Sequence, residues 1–283
     1  MLNLKEKTAE IWTPDGTAAE QALARTTHMS VAAHQDDVEI MAMEGVLACF
    51  GSAQHWFTAV IVTNGAGSAR SGIYANYTDA EMQQVRRLEQ KKAAFVGEYS
   101  CVAFLDHPSS AVKDGKNAGP AADIAALVAA ARPEVLYTHN LADKHDTHIG
   151  VTMHTIRAVR SLPKDQRPKK LYGCEVWRDL DWLVDTDKVA FRVDERENVA
   201  MALVGVFDSQ ITGGKRYDLA TMGRRRAHAT YHESHAVDAA QAVIFGMDLT
   251  PLIEDDAKDP GEYVQEYIAR FASDVRARVA KMS

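Results

Sequence analysis

Two stretches of the chain concentrate the residue types that bind metals and move protons. The first is Ala33-His34-Gln35-Asp36-Asp37-Val38-Glu39, a histidine followed by two adjacent carboxylates. Where such a turn leads straight into a helix, His34 and Asp37, three apart, converge on one point while Asp36 points elsewhere. Imidazole plus carboxylate suits zinc, and a catalytic zinc usually takes three protein ligands and keeps one position open. The second stretch runs from His139 to His148 (HNLADKHDTH) and offers a histidine as third ligand, with His145 and His148 again three apart. Taken alone, Asp36 and Asp37 read equally well as carboxylates favoured at a helix N-terminus. A second His/Asp cluster in the chain tips the balance toward a metal site.

These clusters need elements to bring them together, and the first half of the chain alternates strand-like and helix-like segments. Met29 to Ala33 is a short apolar run that ends at His34. Residues 36 to 50 read as one helix with apolar positions at Ile40, Met41, Val46 and Leu47. Phe57 to Thr63 is a β-branched run closed by Asn-Gly. The spacing predicts a helix over 79–97, with Thr78 or Asp79 as cap and a glycine at its end. Val102 to Leu105 and Val135 to Thr138 are further strands, separated by a helix over 120–131 that opens on a proline. Repeated strand–helix–strand units predict a Rossmann-like, three-layer α/β fold with a mostly parallel central sheet. His34, Asn64, Asp106 and His139 then lie just beyond the carboxyl ends of strands, where such sheets place function. After residue 168 the pattern loosens. YGCEVWRDLDWLV and KVAFRV read as strands, and helices are expected near 194–206 and 260–281.

Composition narrows the class. The 283 residues carry 32 Lys+Arg against 39 Asp+Glu, a net charge of -7, without the basic footprint of a nucleic-acid binder. Three separated cysteines make neither a disulfide framework nor a CxxC site, which fits a reducing compartment. The N-terminus shows no apolar leader, and no run approaches the roughly 18 apolar residues of a membrane span. The expectation is a cytoplasmic protein of one domain over 1–283, with a core at about 27–165 and a C-terminal extension at about 166–283 that completes the substrate pocket.

Here the sequence resembles a known family. AHQDDVE is similar to the AHPDDE signature of the PIG-L/LmbE-like zinc deacetylases, and DKHDTH resembles their second His-x-x-His segment. The resemblance is good over about 27–160 and weaker to about 235. It implies a Rossmann-like fold and hydrolysis of N-acetyl groups from amino sugars, N-acetylglucosaminyl conjugates included. By the same resemblance His34, Asp37 and His148 are the zinc ligands, one zinc per chain, with another divalent metal as the alternative. Asp36 is the general base, and His145, protonated, faces the oxyanion. Arg86 and Glu89 match an Arg-x-x-Glu segment of the sugar site, and Asp106 and Gln210 fall at substrate-contacting positions. Asp143 or Asp146 is expected to orient a histidine from behind the metal. Gln35 stands where the family carries proline, and Asp208 where it carries histidine. Zinc lowers the pKa of bound water from about 15.7 toward 7, which supplies hydroxide for amide hydrolysis.

Weaker signals carry plainer readings. Asn64 to Gly72 lacks the G-x-G-x-x-G spacing of a dinucleotide loop and reads as a loop bordering the pocket. Gly213 to Tyr217 and Gly223 to Arg226 form a basic stretch, read as a surface patch or as a loop gripping an anionic or polyhydroxylated substrate. His228, His232 and His235 read as a polar helix face, and Trp177 or Trp182 as core or as a sugar platform. His55 and His154 are read as structural. The partner expected is a small N-acetylated sugar or glycoconjugate, with no nucleic acid and no membrane span; relatives assemble in several ways, so a homo-oligomer stays open. Competing functions are deacylation of a non-sugar amide, a non-catalytic carbohydrate-binding relative, and an oxidoreductase, the last lacking its glycine fingerprint.

Overall fold

The computed structural model describes residues 2–283. Eight strands form one sheet: β1 (Glu10–Trp12), β2 (His28–Ala32), β3 (Phe57–Thr63), β4 (Cys101–His107), β5 (Val135–His139), β6 (Lys170–Cys174), β7 (Val189–Arg192) and β8 (Val243–Asp248). Their order is β1-β4-β3-β2-β5-β6-β8-β7. The five central strands, β4 to β6 in that order, are parallel, whereas β1 joins β4, and β8 joins β6 and β7, antiparallel. This is the mostly parallel α/β sheet that the strand–helix alternation predicts.

Both faces of the sheet are covered, so its central strands are buried at nearly every position. In β3, Ala59 and Ile61 pack into the core on one face, and Val60 and Val62 into the core on the other. The chain adds β3 and β4 on one side of β2 and then crosses over to lay β5 on the other side. That reversal leaves a crevice beyond the carboxyl ends of β2 and β5, the place where open α/β sheets bind ligands.

Two sequence expectations change here. The helix expected over 36–50 is two helices, Asp37–Met41 and Met43–Cys49, broken at Ala42. The break coincides with Arg225, whose Nη2 donates to the carbonyls of Glu39 (2.6 Å) and Ile40 (3.2 Å), groups that would otherwise accept within a continuing helix. The second change lies in the loosely patterned C-terminal part. It contains a 15-residue helix, Tyr217–Tyr231, of which the sequence marked only a histidine face that the structure reduces to the buried His228, and the strand β8, which the pattern did not mark. No helix among the described residues is long and apolar enough to cross a membrane.

Candidate metal centre and active site

β2 ends at Ala32, and residues 33–36 carry the chain into the helix Asp37–Met41. β5 ends at His139, and a loop leads into the helix Asp146–Arg160, whose first turn holds His148. Thr152 binds these elements together by donating its hydroxyl to the carbonyls of His139 (2.8 Å) and His148 (3.0 Å). The two distant clusters thereby meet at the crevice.

The donor atoms form a nearly equilateral triangle. His34 Nδ1 lies 3.2 Å from Asp37 Oδ2 and 3.3 Å from His148 Nε2, and the third edge, His148 Nε2 to Asp37 Oδ2, is 3.4 Å. Ligands about 2.0–2.1 Å from a tetrahedral ion lie about 3.3 Å from one another. These three side chains therefore fit a divalent cation such as zinc. The Asp37 carboxylate is fixed by the His34 backbone N–H at 2.7 Å. Behind His148, its Nδ1 faces Asp143 Oδ2 at 3.2 Å, which assigns the proton to Nδ1 and turns the Nε2 lone pair toward the triangle. Asp143, not Asp146, is thus the orienting carboxylate. Asp146 is exposed at the start of its helix and lies on the rim of a separate shallow groove.

The neighbouring carboxylates titrate in opposite senses. Burial by itself would raise Asp37, but the imidazoles of His148, His34 and His139 hold it far below the usual carboxylate range. Burial pushes Asp36 up to about 7, against the pull of the Arg86 guanidinium. Two carboxylates whose surroundings drive them apart divide naturally into a permanent anion and a proton acceptor. Asp36 also adopts φ 95°, an unusual conformation for a residue other than glycine. Two contacts hold it there. Gln90 Oε1 accepts the Asp36 N–H at 3.3 Å, while Arg86 Nη2 donates to the Gln35 carbonyl and to Asp36 Oδ1 (3.1 Å).

A buried relay lies behind Gln90. Its Nε2 donates to Glu39 Oε1 (2.8 Å), as does the Tyr99 hydroxyl (2.8 Å). Burial raises Glu39 to about 8, so it is chiefly a neutral acid at pH 7. His139 is a further site residue. Its ring stacks on His148 at 3.9 Å, and its Nε2 accepts the Ala33 N–H at 2.9 Å. Burial and the neighbouring His148 pull its pKa well down. Although His139 Nε2 lies 3.6 Å from Asp37, its lone pair is engaged by Ala33, so the ring supports the site from below. Its place at the end of β5 was the signal available in the sequence.

His145 stacks on His148 at 4.5 Å and lines the cavity, but burial and then the charges of His148 and His34 lower its pKa. Burial and the neighbouring imidazoles thus work against the protonated form expected from sequence. A cavity of about 580 Å³ opens over His34, Asp36, Asp37 and His145, with Arg86 and Gln210 also in its lining. The role expected for Arg86 shifts. Its guanidinium is engaged by Asp36, Gln35 and the Ser68 hydroxyl (2.9 Å), so it clamps Asp36 more than it offers free donors. Glu89 accepts from the Ser209 N–H and hydroxyl at 2.8 and 2.7 Å, which seats the short helix bearing Gln210. Asp106 corrects the sequence expectation. It is absent from the cavity lining, and its carboxylate pairs with Arg87, which also holds Glu10 of β1.

The Gly65–Ser68 loop borders the cavity as expected. Gly65 has φ +76°, and a Cβ there would come within 2.7 Å of Gln35 Oε1, so the glutamine that replaces proline fills the space beneath the loop. The arginine triplet splits. Arg224 lines the cavity, Arg225 is 1% exposed beneath the Asp37–Met41 helix, and Arg226 pairs with Glu197 at the surface. Trp177 lines the cavity, whereas Trp182 packs edge-on against Phe271. His228 bonds Glu175 at 2.9 Å and stacks on Phe245, and among the described residues both metal-competent clusters lie at the site above.

Residues 29–159 match the PIG-L family, described as GlcNAc-PI de-N-acetylase. Solved structures share the fold. A conserved protein of Thermus thermophilus superposes with a TM-score of 0.61 at 15% identity, covering 83% of this chain and 99% of its own. The N,N'-diacetylchitobiose deacetylase of Pyrococcus horikoshii gives 0.59 at 11% identity, with 81% and 86% covered. The 4-carboxy-2-hydroxymuconate hydratase of Pseudomonas putida gives 0.57 at 15%, with 79% and 96% covered. No curated protein matches the sequence significantly. The signature residues gather at the crevice within the matched segment, 29–159, and it is over this segment that the chain is similar to the PIG-L family.

Proposed function

We propose that the protein is a metal-dependent N-deacetylase that removes the acetyl group from an amino-sugar derivative or glycoconjugate, with zinc as the metal. The same fold serves a hydratase, so fold alone does not choose the reaction. What carries the reading is the pairing of a three-donor triangle, with edges of 3.2–3.4 Å, and an adjacent carboxylate poised near pH 7.

In this reading His34, Asp37 and His148 hold the cation. When bound, it supplies Lewis-acid polarisation of the acyl carbonyl and acidifies water, which lets hydrolysis run at neutral pH. Asp36 takes the proton from the attacking water as the oxygen–carbon bond forms, and passes it to the departing amine nitrogen as the carbon–nitrogen bond breaks. Acetate and free amine leave. His145 donates an imidazole N–H to the acyl oxygen as charge builds there, a kind of contact worth about 10²–10³ in kcat. Arg86 and Gln90 keep Asp36 in its unusual backbone conformation, and Asp143 keeps His148 in the ligating tautomer. Gln210, in the same cavity lining, meets the sugar.

The test is amine release from a panel of N-acetylated sugars, sugar phosphates, glycoconjugates and simple acetamides, with and without chelator. Asp36→Asn should keep its metal and lose about 10²–10⁴ of turnover, and His148→Ala should lose the metal. Full activity in Asp36→Asn, or no amine from any member of the panel, overturns the reading. Turnover of the acetamides alone would favour the non-sugar amidase.

A further inference from the structure

The cavity lining carries charges of both signs. At the metal end lie Asp36, which Arg86 engages, and Asp37, which faces the ligating imidazoles. The same lining includes Lys113, Lys215 and Arg224, drawn from three different elements, and of these Lys215 and Arg224 both reach the Val176–Trp177 segment. Lys113 ends the helix Ser109–Lys113, Lys215 sits on the turn before the helix Tyr217–Tyr231, and Arg224 lies within that helix. Among the described residues none of these three has a carboxylate within ion-pair distance. Nearby surface arginines do, as in Arg216 with Asp218 and Arg226 with Glu197. Three uncompensated cations facing one cavity are unexpected in a chain of net charge -7.

Their placement is built. Arg224 Nη1 donates to the Val176 carbonyl at 2.5 Å, which leaves the rest of its guanidinium available. The Lys215 ammonium sits 4.8 Å from the Trp177 ring centroid, and its backbone N–H is anchored on the Gln210 carbonyl at 3.0 Å. The turn before Lys215 is tight. A Cβ at Gly213 would come within 1.7 Å of the Ser209 carbonyl oxygen, so only glycine fits. Trp177 also lies alongside His145, at 6.3 Å between ring centroids. Trp177 thus adjoins both His145, beside the ligating residues, and the Lys215 ammonium.

We propose that the substrate carries an anionic group, phosphate or carboxylate, remote from its acyl nitrogen, and that Lys113, Lys215 and Arg224 receive it. This rests on the deacetylase reading for the other half of the substrate. Charge-assisted bonds to an oxyanion are the strong ones, and the guanidinium of Arg224 can offer two donors at once.

The test is calorimetric titration of metal-loaded protein carrying Asp36→Asn, so that no ligand is consumed. The probes are N-acetylglucosamine, its 1-phosphate, its 6-phosphate and a carboxymethyl glycoside; the phosphate and carboxylate arms separate the two anion chemistries. At low salt one anionic probe should bind about tenfold or more tighter than the neutral sugar. That preference should shrink as sodium chloride is raised and fall toward one in Lys215→Met/Arg224→Gln. Equal binding of all probes, or a preference that survives both substitutions, overturns the proposal. Amine release is then followed with Asp36 restored. Anion preference without amine release sinks the deacetylase reading and leaves the anion site standing. Amine release with the same KM for neutral and anionic substrates does the reverse.

Discussion

Replacing Arg225 by lysine should harm the protein more than replacing it by methionine. Arg225 is 1% exposed and has no carboxylate within ion-pair distance among the described residues, and its Nη2 donates to the Glu39 and Ile40 carbonyls at 2.6 and 3.2 Å. Burial pulls its pKa down to about 10, eased only by the charge of Glu175. At about 1.4 kcal/mol per tenfold, that fall reflects roughly 3 kcal/mol of unfavourable burial. Against it stand two bonds from a charged donor, each worth about 1.5–3 kcal/mol. Methionine loses the bonds but also removes the burial penalty, for a net loss of about 0–3 kcal/mol. Lysine keeps a more strongly hydrated charge in the same place and reaches one carbonyl at best, so its loss should be about 3–5 kcal/mol. Urea unfolding of the metal-loaded protein gives both values. A lysine variant as stable as wild type, or more stable than the methionine variant, would refute the reasoning. Because Arg225 seats the helix that carries Asp37, both variants should also bind metal more weakly, measured by competition with a chromogenic chelator.

Asp143→Ala should weaken metal binding about 10–100-fold while the fold persists, because His148 loses the partner that fixes its tautomer; unchanged affinity would assign orientation elsewhere. Asp106→Asn should lower stability by about 1 kcal/mol through the lost Arg87 pair and leave KM unaltered, since Asp106 lies outside the cavity lining. A large rise in KM would restore its place among the substrate contacts. Chelation should lower Tm by about 5–10 °C if metal is present at about a hundredfold over its Kd, a stabilisation of about 2.7 kcal/mol; a Tm insensitive to chelator would argue against a site formed by the native fold.

What the sequence made legible was local. The strands β2 to β5, the turn after β2 and the His-x-x-His pair are short-range patterns, and the sheet order then forces their ends together at the crevice, whereas β1 went unmarked. The supports of the site were illegible for the opposite reason. Gln90 reaches Asp36 across 54 positions and Arg225 reaches Glu39 across 186, and neither contact leaves a period or a motif. The break at Ala42 belongs with them: residues 36–50 have helical periodicity throughout, and what interrupts the helix is a side chain from the far end of the chain.

The arginine triplet shows how far residue type alone can carry a functional argument. Arg224, Arg225 and Arg226 are chemically identical, and a helix turns each about 100° from the next. One therefore faces the cavity, one the interior beneath the Asp37–Met41 helix, and one the surface. Charge counted along the sequence assigns all three to a patch. Charge counted by partner gives the useful distinction, because Arg226 already has Glu197 and Arg225 already has two carbonyls, while Arg224 has one carbonyl and faces open space. A cation whose donors are satisfied by the protein contributes to stability. One left with donors free, at the cavity that His34 and Asp37 also line, is placed to contribute to selectivity instead.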